Sequence, residues 1–369
     1  MRLGLTLLSL AAGLVVAQAA HPFTAVVGGG STALQNYVAA ICDNATQDSN
    51  YAGLYLPYYA VGVSTGQNSF LSLDYDYGIG DYPLTDAQAG GAYRPILQIP
   101  FVLSSTSIFY NITGNPKLKL SPSVLAQILQ GNITTFDDPA ILKLNPTLSV
   151  PKDQHITVVG RSDSGAAAQI VSDYLSRTAP SDWKLGVNKT LPWPKATHLV
   201  MGNGNVTGFI NNNTWTIGFA DSSGGLKLKI TEASIPNQLG TYLTSKQGNY
   251  SLSDLGNSTL TLPTSATSSF AKFNTTYLGG NSTYPLISIG YAYSNQDLRQ
   301  RGDAGAGVKQ LLAYFFGPVV LSKGVQDAGL YKPPSSWIKY GVNAIQSITV
   351  KSSKVWFQQN SVGPGFSFS

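Results

Sequence analysis

A single cysteine, Cys42, stands among 369 residues, so no internal disulfide can form and stability must come from a buried core. Histidine is nearly as scarce: His21, His155 and His198 are all there are. No HExxH helix, no Cys/His cluster of metal-ligand spacing and no Gly-x-Ser-x-Gly elbow occurs. Charged residues make up only 11% of the chain, and no run of Lys and Arg interleaved with aromatics marks a nucleic-acid surface. The formal net charge of +5 leans weakly toward anions. Beyond Val16 no apolar run is long enough to span a bilayer, and the tail after Lys354 lacks the terminal apolar stretch of a lipid anchor.

The one long apolar run is at the start. Arg2 precedes an almost wholly apolar Leu3 to Val16, and Ala17-Gln18-Ala19 fits a small-residue cleavage site. Residues 1–19 therefore read as an export signal cleaved near Ala19, which makes the mature chain soluble, secreted and extracellular. What remains is long enough for two lobes of ordinary size. N-x-S/T sequons stand at Asn44, Asn111, Asn132, Asn188, Asn205, Asn212, Asn249, Asn257, Asn274 and Asn281. That density exceeds a chance expectation of roughly four or five and points to a eukaryotic secretory route with glycans on exposed loops. Arg301-Gly302-Asp303 reads as a surface turn rather than an adhesion signal.

The chain is organised around Thr157 to Tyr174. Ile156 to Val159 form an apolar β-branched run, read as a buried strand. Gly160 and the cluster Arg161, Ser162, Asp163, Ser164, Gly165 form a polar turn, and helical spacing starts at Ala166. Free N–H groups at a helix start, with small residues and an arginine beside them, suit an anion; an ordinary N-cap with a solvated Arg161 is the other reading. A similar pattern opens the mature chain. Thr24 to Val27 reads as a strand, Gly28 to Thr32 as a turn, and Ala33 onward as a helix, without the spacing of a nucleotide fingerprint. Tyr59 to Val63 reads as a strand ending in Ser64-Thr65-Gly66. Asp81 falls at a strand tip before Pro83, which holds its predecessor extended. A carboxylate among such donors would reject sulfate and accept the proton of monohydrogen phosphate; the other reading is that Asp81 merely caps the turn at Leu84-Thr85. Alternation along Leu71–Tyr77 places Asp74 and Asp76 on one solvated strand face, and no calcium loop is formed.

Four of these segments, in order, resemble the phosphate-binding proteins of bacterial phosphate ABC importers. They are Gly28–Thr32, Val61-Gly-Val-Ser64-Thr-Gly66, Tyr77-Gly-Ile-Gly-Asp81-Tyr-Pro83-Leu84 and Val158-Val-Gly-Arg161-Ser-Asp163-Ser-Gly165. The run Leu120 to Pro146 and the pair Gly202–Asn205 and Ile217–Phe219 are similar as well. The resemblance implies an α/β, type II periplasmic-binding-protein-like fold, with two mostly parallel sheets flanked by helices and a ligand cleft between lobes. Lobe one would comprise residues 20–110 plus 289–369, and lobe two 111–288. It further implies a phosphate site made of Thr32, Ala33, Ser64, Asp81, Arg161, Asp163, Ser164, Gly165 and Ala166. Asp81 takes the ligand's proton and Asp163 orients Arg161. Two departures stand out: the loop Asp163–Ala166 is one residue shorter than the family's and lacks its last hydroxyl, and Ala33 replaces a shielding Phe. A monomer that is not an enzyme and needs no cofactor is expected, capturing phosphate or a related oxyanion, with an unknown membrane transporter or cell-wall partner. The alternatives are a ligand-poor glycoprotein that kept the fold under a Tyr-rich surface and, less favoured, a secreted hydrolase using Ser164, which has no base near it in sequence.

Overall fold

The computed structural model describes residues 23–48, 53–248, 262–270, 273, 282–318, 320–325 and 329–352. The export signal and the sequons at Asn249, Asn257, Asn274 and Asn281 lie outside the described residues. The strands are β1 (Thr24–Ala25), β2 (Gly28–Gly30), β3 (Leu54–Tyr55), β4 (Tyr58–Tyr59), β5 (Tyr77–Gly80), β6 (Ile96–Asn111), β7 (Thr157–Arg161), β8 (His198–Val200), β9 (Thr216–Asp221), β10 (Thr231–Glu232), β11 (Ile235–Pro236), β12 (Tyr242–Leu243) and β13 (Ile287–Asn295). Among the helices that surround them are α1 (Gln35–Gln47), α2 (Val63–Leu71), α3 (Asp86–Gly90), α4 (Pro122–Leu129), α5 (Pro139–Leu144), α6 (Ala166–Thr178), α7 (Gly202–Asn212), α8 (Ser222–Lys227), α9 (Gly302–Phe315) and α10 (Ser335–Gln346).

Among the described residues, one nine-stranded mixed sheet runs through the molecule in the order β4-β2-β5-β13-β6-β9-β7-β8, with β10 against β6. The outer trios are parallel and are the strands that carry a following helix; β13 and β6 join them in antiparallel fashion. Strand β6 is buried along nearly its whole length. It pairs with β13 from Ile96 to Ser105, then with β9 from Thr106 to Asn111. Pro100 cannot donate to a ladder, and it sits where the β13 register slips between Gly290 and Tyr291.

Local chemistry accounts for several helix starts. Ser121 caps α4 by accepting from the Val124 amide, and Asp138 caps α5 by accepting from the Ala140 amide, each followed by a proline. Helix α9 buries Val308, Leu311, Leu312 and Phe315, which recur at helical spacing.

Four readings change. Gly28–Gly30 is a strand, not a turn, because β2 runs between β4 and β5, and the Tyr77 ring occupies the space a Gly28 side chain would need. Val63 and Ser64 begin helix α2 instead of ending a strand. Asp76 is buried: it accepts from the Val27 amide at 2.8 Å and pairs with Arg301, whereas Asp74 is exposed and accepts from Ser72 Oγ. Among the described residues tyrosine serves the interior as well as the surface: Tyr77, Tyr110, Tyr174, Tyr284, Tyr291 and Tyr293 are fully buried, while Tyr55, Tyr59 and Tyr93 are exposed. Arg301-Gly302-Asp303 is likewise engaged at both ends, Arg301 by Asp76 and Asp303 by Ser352 Oγ.

Helix α2 is pressed onto β2. A Cβ on Gly66 would stand 2.3 Å from the Gly30 Cα, backbone against backbone. Gly66→Ala is therefore expected to destabilise the protein by about 1–3 kcal/mol, the usual range for overpacking. Urea denaturation measures it; an unchanged midpoint would mean that α2 lifts off the sheet freely.

Of the sequons within the described residues, Asn44, Asn132, Asn188, Asn205 and Asn212 are exposed. Asn111 differs: it is half-buried, and its amide donates to the carbonyls of Ile210 and Asn211, bonds that a glycan there would break. Among the described residues no helix is long and apolar enough to cross a membrane.

Candidate functional site

Strands β2 and β7 end beside one another's polar turns, and this brings distant segments to one small pocket. Its lining includes Thr32, Ala33, Asp81, Arg161, Ser164, Gly165 and Ala166, all expected from sequence. Ser64 and Asp163 are not among the lining residues. Ser64 Oγ lies 3.0 Å from the Tyr82 hydroxyl, behind the pocket wall formed by Gly62 and Val63. Asp163 grips Arg161 from outside. Sequence reasoning missed Ser104, Thr106, Asn203, Asp221 and Ser288, which also face the pocket. The free volume is about 10 Å³, about what one water molecule needs.

Arg161 closes β7 and is only 3% exposed. The strand runs through Gly160 and Arg161, two residues beyond the expected boundary, so the guanidinium is held inside instead of in the turn. It donates from Nε to Asp163 Oδ1 at 3.0 Å, pairs through Nη2 with Asp163 Oδ2, and donates to the Ser164 carbonyl. Burial works against the charge of Asp163, but hydrogen bonds from Arg161 and the Gly202 amide outweigh it and hold its carboxyl below the ordinary range. Gly165 is dictated by this arrangement: a Cβ there would meet Arg161 Nη1 at 2.3 Å. Helix α6 then starts with no side-chain cap, and helix α2 starts the same way at Gly62. Pocket-lining residues at both starts belong to helix first turns, whose N–H groups favour negative charge.

Opposite stands Asp81, directly after β5. It is 7% exposed. Oδ2 accepts from Ser31 Oγ at 2.7 Å, and Ser31 Oγ in turn accepts from the Leu34 amide. Oδ1 is buried with no partner. Burial first, and then the charge of Asp221, push the Asp81 carboxyl up to about 7, against the pull of Ser31 and Arg161. Asp221 is raised to about 6 by burial, although Ser223 and Ser104 donate to it. Ser104 Oγ also lies 2.8 Å from Ser288 Oγ, linking β6 to β13 at the pocket floor. So the pocket combines one paired arginine, two helix starts, several hydroxyls and two carboxyls that resist ionisation. Such a set is chemically suited to an oxyanion that brings its own proton. Among the described residues no group of three or more His, Cys, Asp or Glu side chains is placed to hold a metal ion.

The family model of the PBP superfamily domain matches residues 17–319. The chain belongs to the PBP superfamily. Within that superfamily, the phosphate-binding protein PstS of Pasteurella multocida is 31% identical over 191 residues, which cover 50% of this chain and 54% of that protein. PstS of Methanocaldococcus jannaschii is 31% identical over 202 residues, 51% of each. The chain thus spans about half the length of these curated relatives. In three dimensions, a phosphate-binding protein from Stenotrophomonas maltophilia matches with a TM-score of 0.65 at 16% identity, covering 86% of this chain and 92% of that one. At that identity the likeness speaks for the α/β PBP fold alone, and the pocket lies where open α/β sheets take ligands, at strand ends and helix starts.

Proposed function

We propose that this PBP-superfamily protein captures phosphate, or a closely related protonated oxyanion, outside the cell, as a binder and not as a catalyst. The observation that carries this is the buried Asp81 Oδ1, an acceptor without a donor, in a pocket whose charge comes from Arg161. A ligand that offers both negative charge and one proton satisfies both at once. Arg161 supplies charge, held by Asp163. The starts of α2 and α6 supply N–H groups, and Thr32, Ser164, Ser104 and Thr106 supply hydroxyls. Ala166 offers its amide but no hydroxyl, and Ser64 acts through Tyr82 and not by direct contact.

The reading includes closure of two lobes, residues 20–110 with 289–369 and residues 111–288. It is supported by the division of the pocket lining: Thr32, Gly62 and Asp81 come from the β2–β5 side, Arg161, Ser164 and Asn203 from the β7–β9 side. Names of relatives that bind phosphate support it too.

Isothermal titration with phosphate, arsenate and sulfate at pH 8 tests the proposal. Phosphate and arsenate should bind with dissociation constants of about 1 μM or below, corresponding to roughly 8 kcal/mol or more. Absence of heat with all three, at about 100 μM protein, would leave a chain that keeps the fold without the ligand.

A further inference from the structure

A second, larger cavity of about 300 Å³ opens directly from the oxyanion pocket. The two share Asp81, Ala166 and Ser288. The small pocket, at about 10 Å³, has no space for anything beyond a compact polar group, whereas 300 Å³ reaches the size at which cavities hold small organic ligands. Its walls are mixed, and Leu84, Ile170, Phe273 and Ile289 form their apolar part. Besides the shared Asp81 and Ser288, the polar residues Thr85, Gln169, Asp173, Lys189 and Tyr291 line it; the Asp173 carboxylate is paired with Arg177, and three of the others matter for a ligand. Gln169 lies one turn along α6 from Ala166 and so faces the same way; its Oε1 is buried without a partner. Tyr291 is 1% exposed, and its hydroxyl is also buried without a partner. Lys189 places its Nζ 3.6 Å from the centre of the Tyr82 ring, a cation–π contact on a half-buried cation. Burial lowers the Lys189 pKa, the sign of an ammonium short of solvent. Its backbone is fixed as well, since the Lys189 carbonyl accepts from the Gly165 amide at the very loop that holds Arg161.

These features describe the far end of a ligand. The acceptor Gln169 Oε1 calls for a hydroxyl or amine. The Tyr291 hydroxyl and the Lys189 ammonium call for an anionic or carbonyl oxygen. The apolar part of the walls calls for a short carbon chain between them. We infer that the larger cavity is a subsite for the organic group of a phosphate monoester, a short phosphorylated hydroxy acid whose carboxylate meets Lys189 while its phosphoryl group occupies the Arg161 pocket. The bridging ester oxygen passes the shared residues Asp81, Ala166 and Ser288; a monoester dianion brings no proton, so the one shared there comes from the Asp81 carboxyl, which burial pushes up to about 7, and the titrations are run near pH 6. This rests on the oxyanion reading of the small pocket and narrows it from inorganic phosphate to a class of esters. No bond is made or broken.

Competition calorimetry on the full chain tests it with three probes: inorganic phosphate, glycerol 3-phosphate and 3-phosphoglycerate. Phosphoglycerate should bind at least about tenfold more tightly than glycerol phosphate, the value of one charge-assisted contact. Lys189→Met, which keeps the apolar stem over Tyr82, should remove that tenfold difference. Val187→Trp at the rim, where Val187 is 47% exposed and packs into no core, should weaken both esters tenfold or more and leave phosphate unchanged. Phosphate binding with neither ester detectable overturns the subsite and keeps the oxyanion pocket. Equal ester affinities in the native chain and in Lys189→Met overturn it as well. Failure of all three probes removes the oxyanion reading itself, and the subsite falls with it.

Discussion

Replacing Arg161 with methionine is expected to lower oxyanion affinity by about a thousandfold or more. Arg161 is the cation whose guanidinium lines the pocket, and it is 3% exposed. Removing one partner of a desolvated charge contact costs about 2–5 kcal/mol or more, and each 1.4 kcal/mol is a factor of ten. The substitution also strands Asp163, which would keep the Gly202 amide as a donor. Breaking a buried ion pair can cost about 3–5 kcal/mol of stability. Since Asp163 is only part-buried, the low end of that range applies. A double variant, Arg161→Met with Asp163→Asn, removes the stranded charge and should recover most of the stability without recovering binding. Calorimetry with phosphate, alongside far-UV circular dichroism to confirm folding, reads both effects. Affinity within tenfold of the native chain in a folded variant would show that the helix starts suffice and that the arginine is structural.

The preference for phosphate over sulfate should grow about tenfold for each pH unit above 7, reaching roughly a hundredfold by pH 9, and Asp81→Asn should abolish that slope. The reason lies in where the shared proton sits. Monohydrogen phosphate brings a proton to the Asp81 carboxylate. Sulfate brings none, so Asp81 must be protonated first. With its carboxyl pushed up to about 7, that protonation is free below neutrality and costs about 1.4 kcal/mol per unit above it. Discrimination is therefore a property of alkaline solution, and an acid-side assay would miss it. A phosphate-to-sulfate ratio that stays constant between pH 7 and 9 in the native chain would remove Asp81 from this role. The same group shapes stability without ligand. An acid whose folded pKa is raised stabilises the fold fully below its ordinary value near 3.8, and that contribution is lost as pH rises to about 7. The ligand-free protein should melt at a lower temperature at pH 8 than at pH 5. Between those two pH values Asp81 accounts for at most about 3 kcal/mol, and Asp81→Asn should remove that share, leaving the smaller one from Asp221.

Arg161 and Asp81 could be found from sequence because each follows a short apolar run and precedes a helix or a proline turn. The local pattern alone names a strand tip. Asp221 obeys that same rule, with Ile217–Ala220 before it and Ser222-Ser223 after it, and was legible in principle. Ser104 and Thr106 lie mid-strand, where polar residues carry no periodic signal. Their trace is the run Ser104-Ser105-Thr106-Ser107 inside an otherwise apolar segment. Ser288 was beyond reach: it meets Ser104 only through the β13–β6 register, across 184 residues of chain. The boundary errors share one cause. Gly28–Gly30 and the Ser64 segment were assigned from propensity, whereas the neighbouring strands and the Gly66–Gly30 contact decide their form.

Strand β13 fills the gap between β5 and β6, yet it is made some 180 residues after β6 ends. During synthesis, therefore, the apolar β6 leaves the ribosome with one edge bare and stays so until Asn295 has emerged. Open edges of that kind recruit other chains. Truncations that stop short of Ile287 are therefore expected to aggregate instead of giving a smaller folded unit, which light scattering would read.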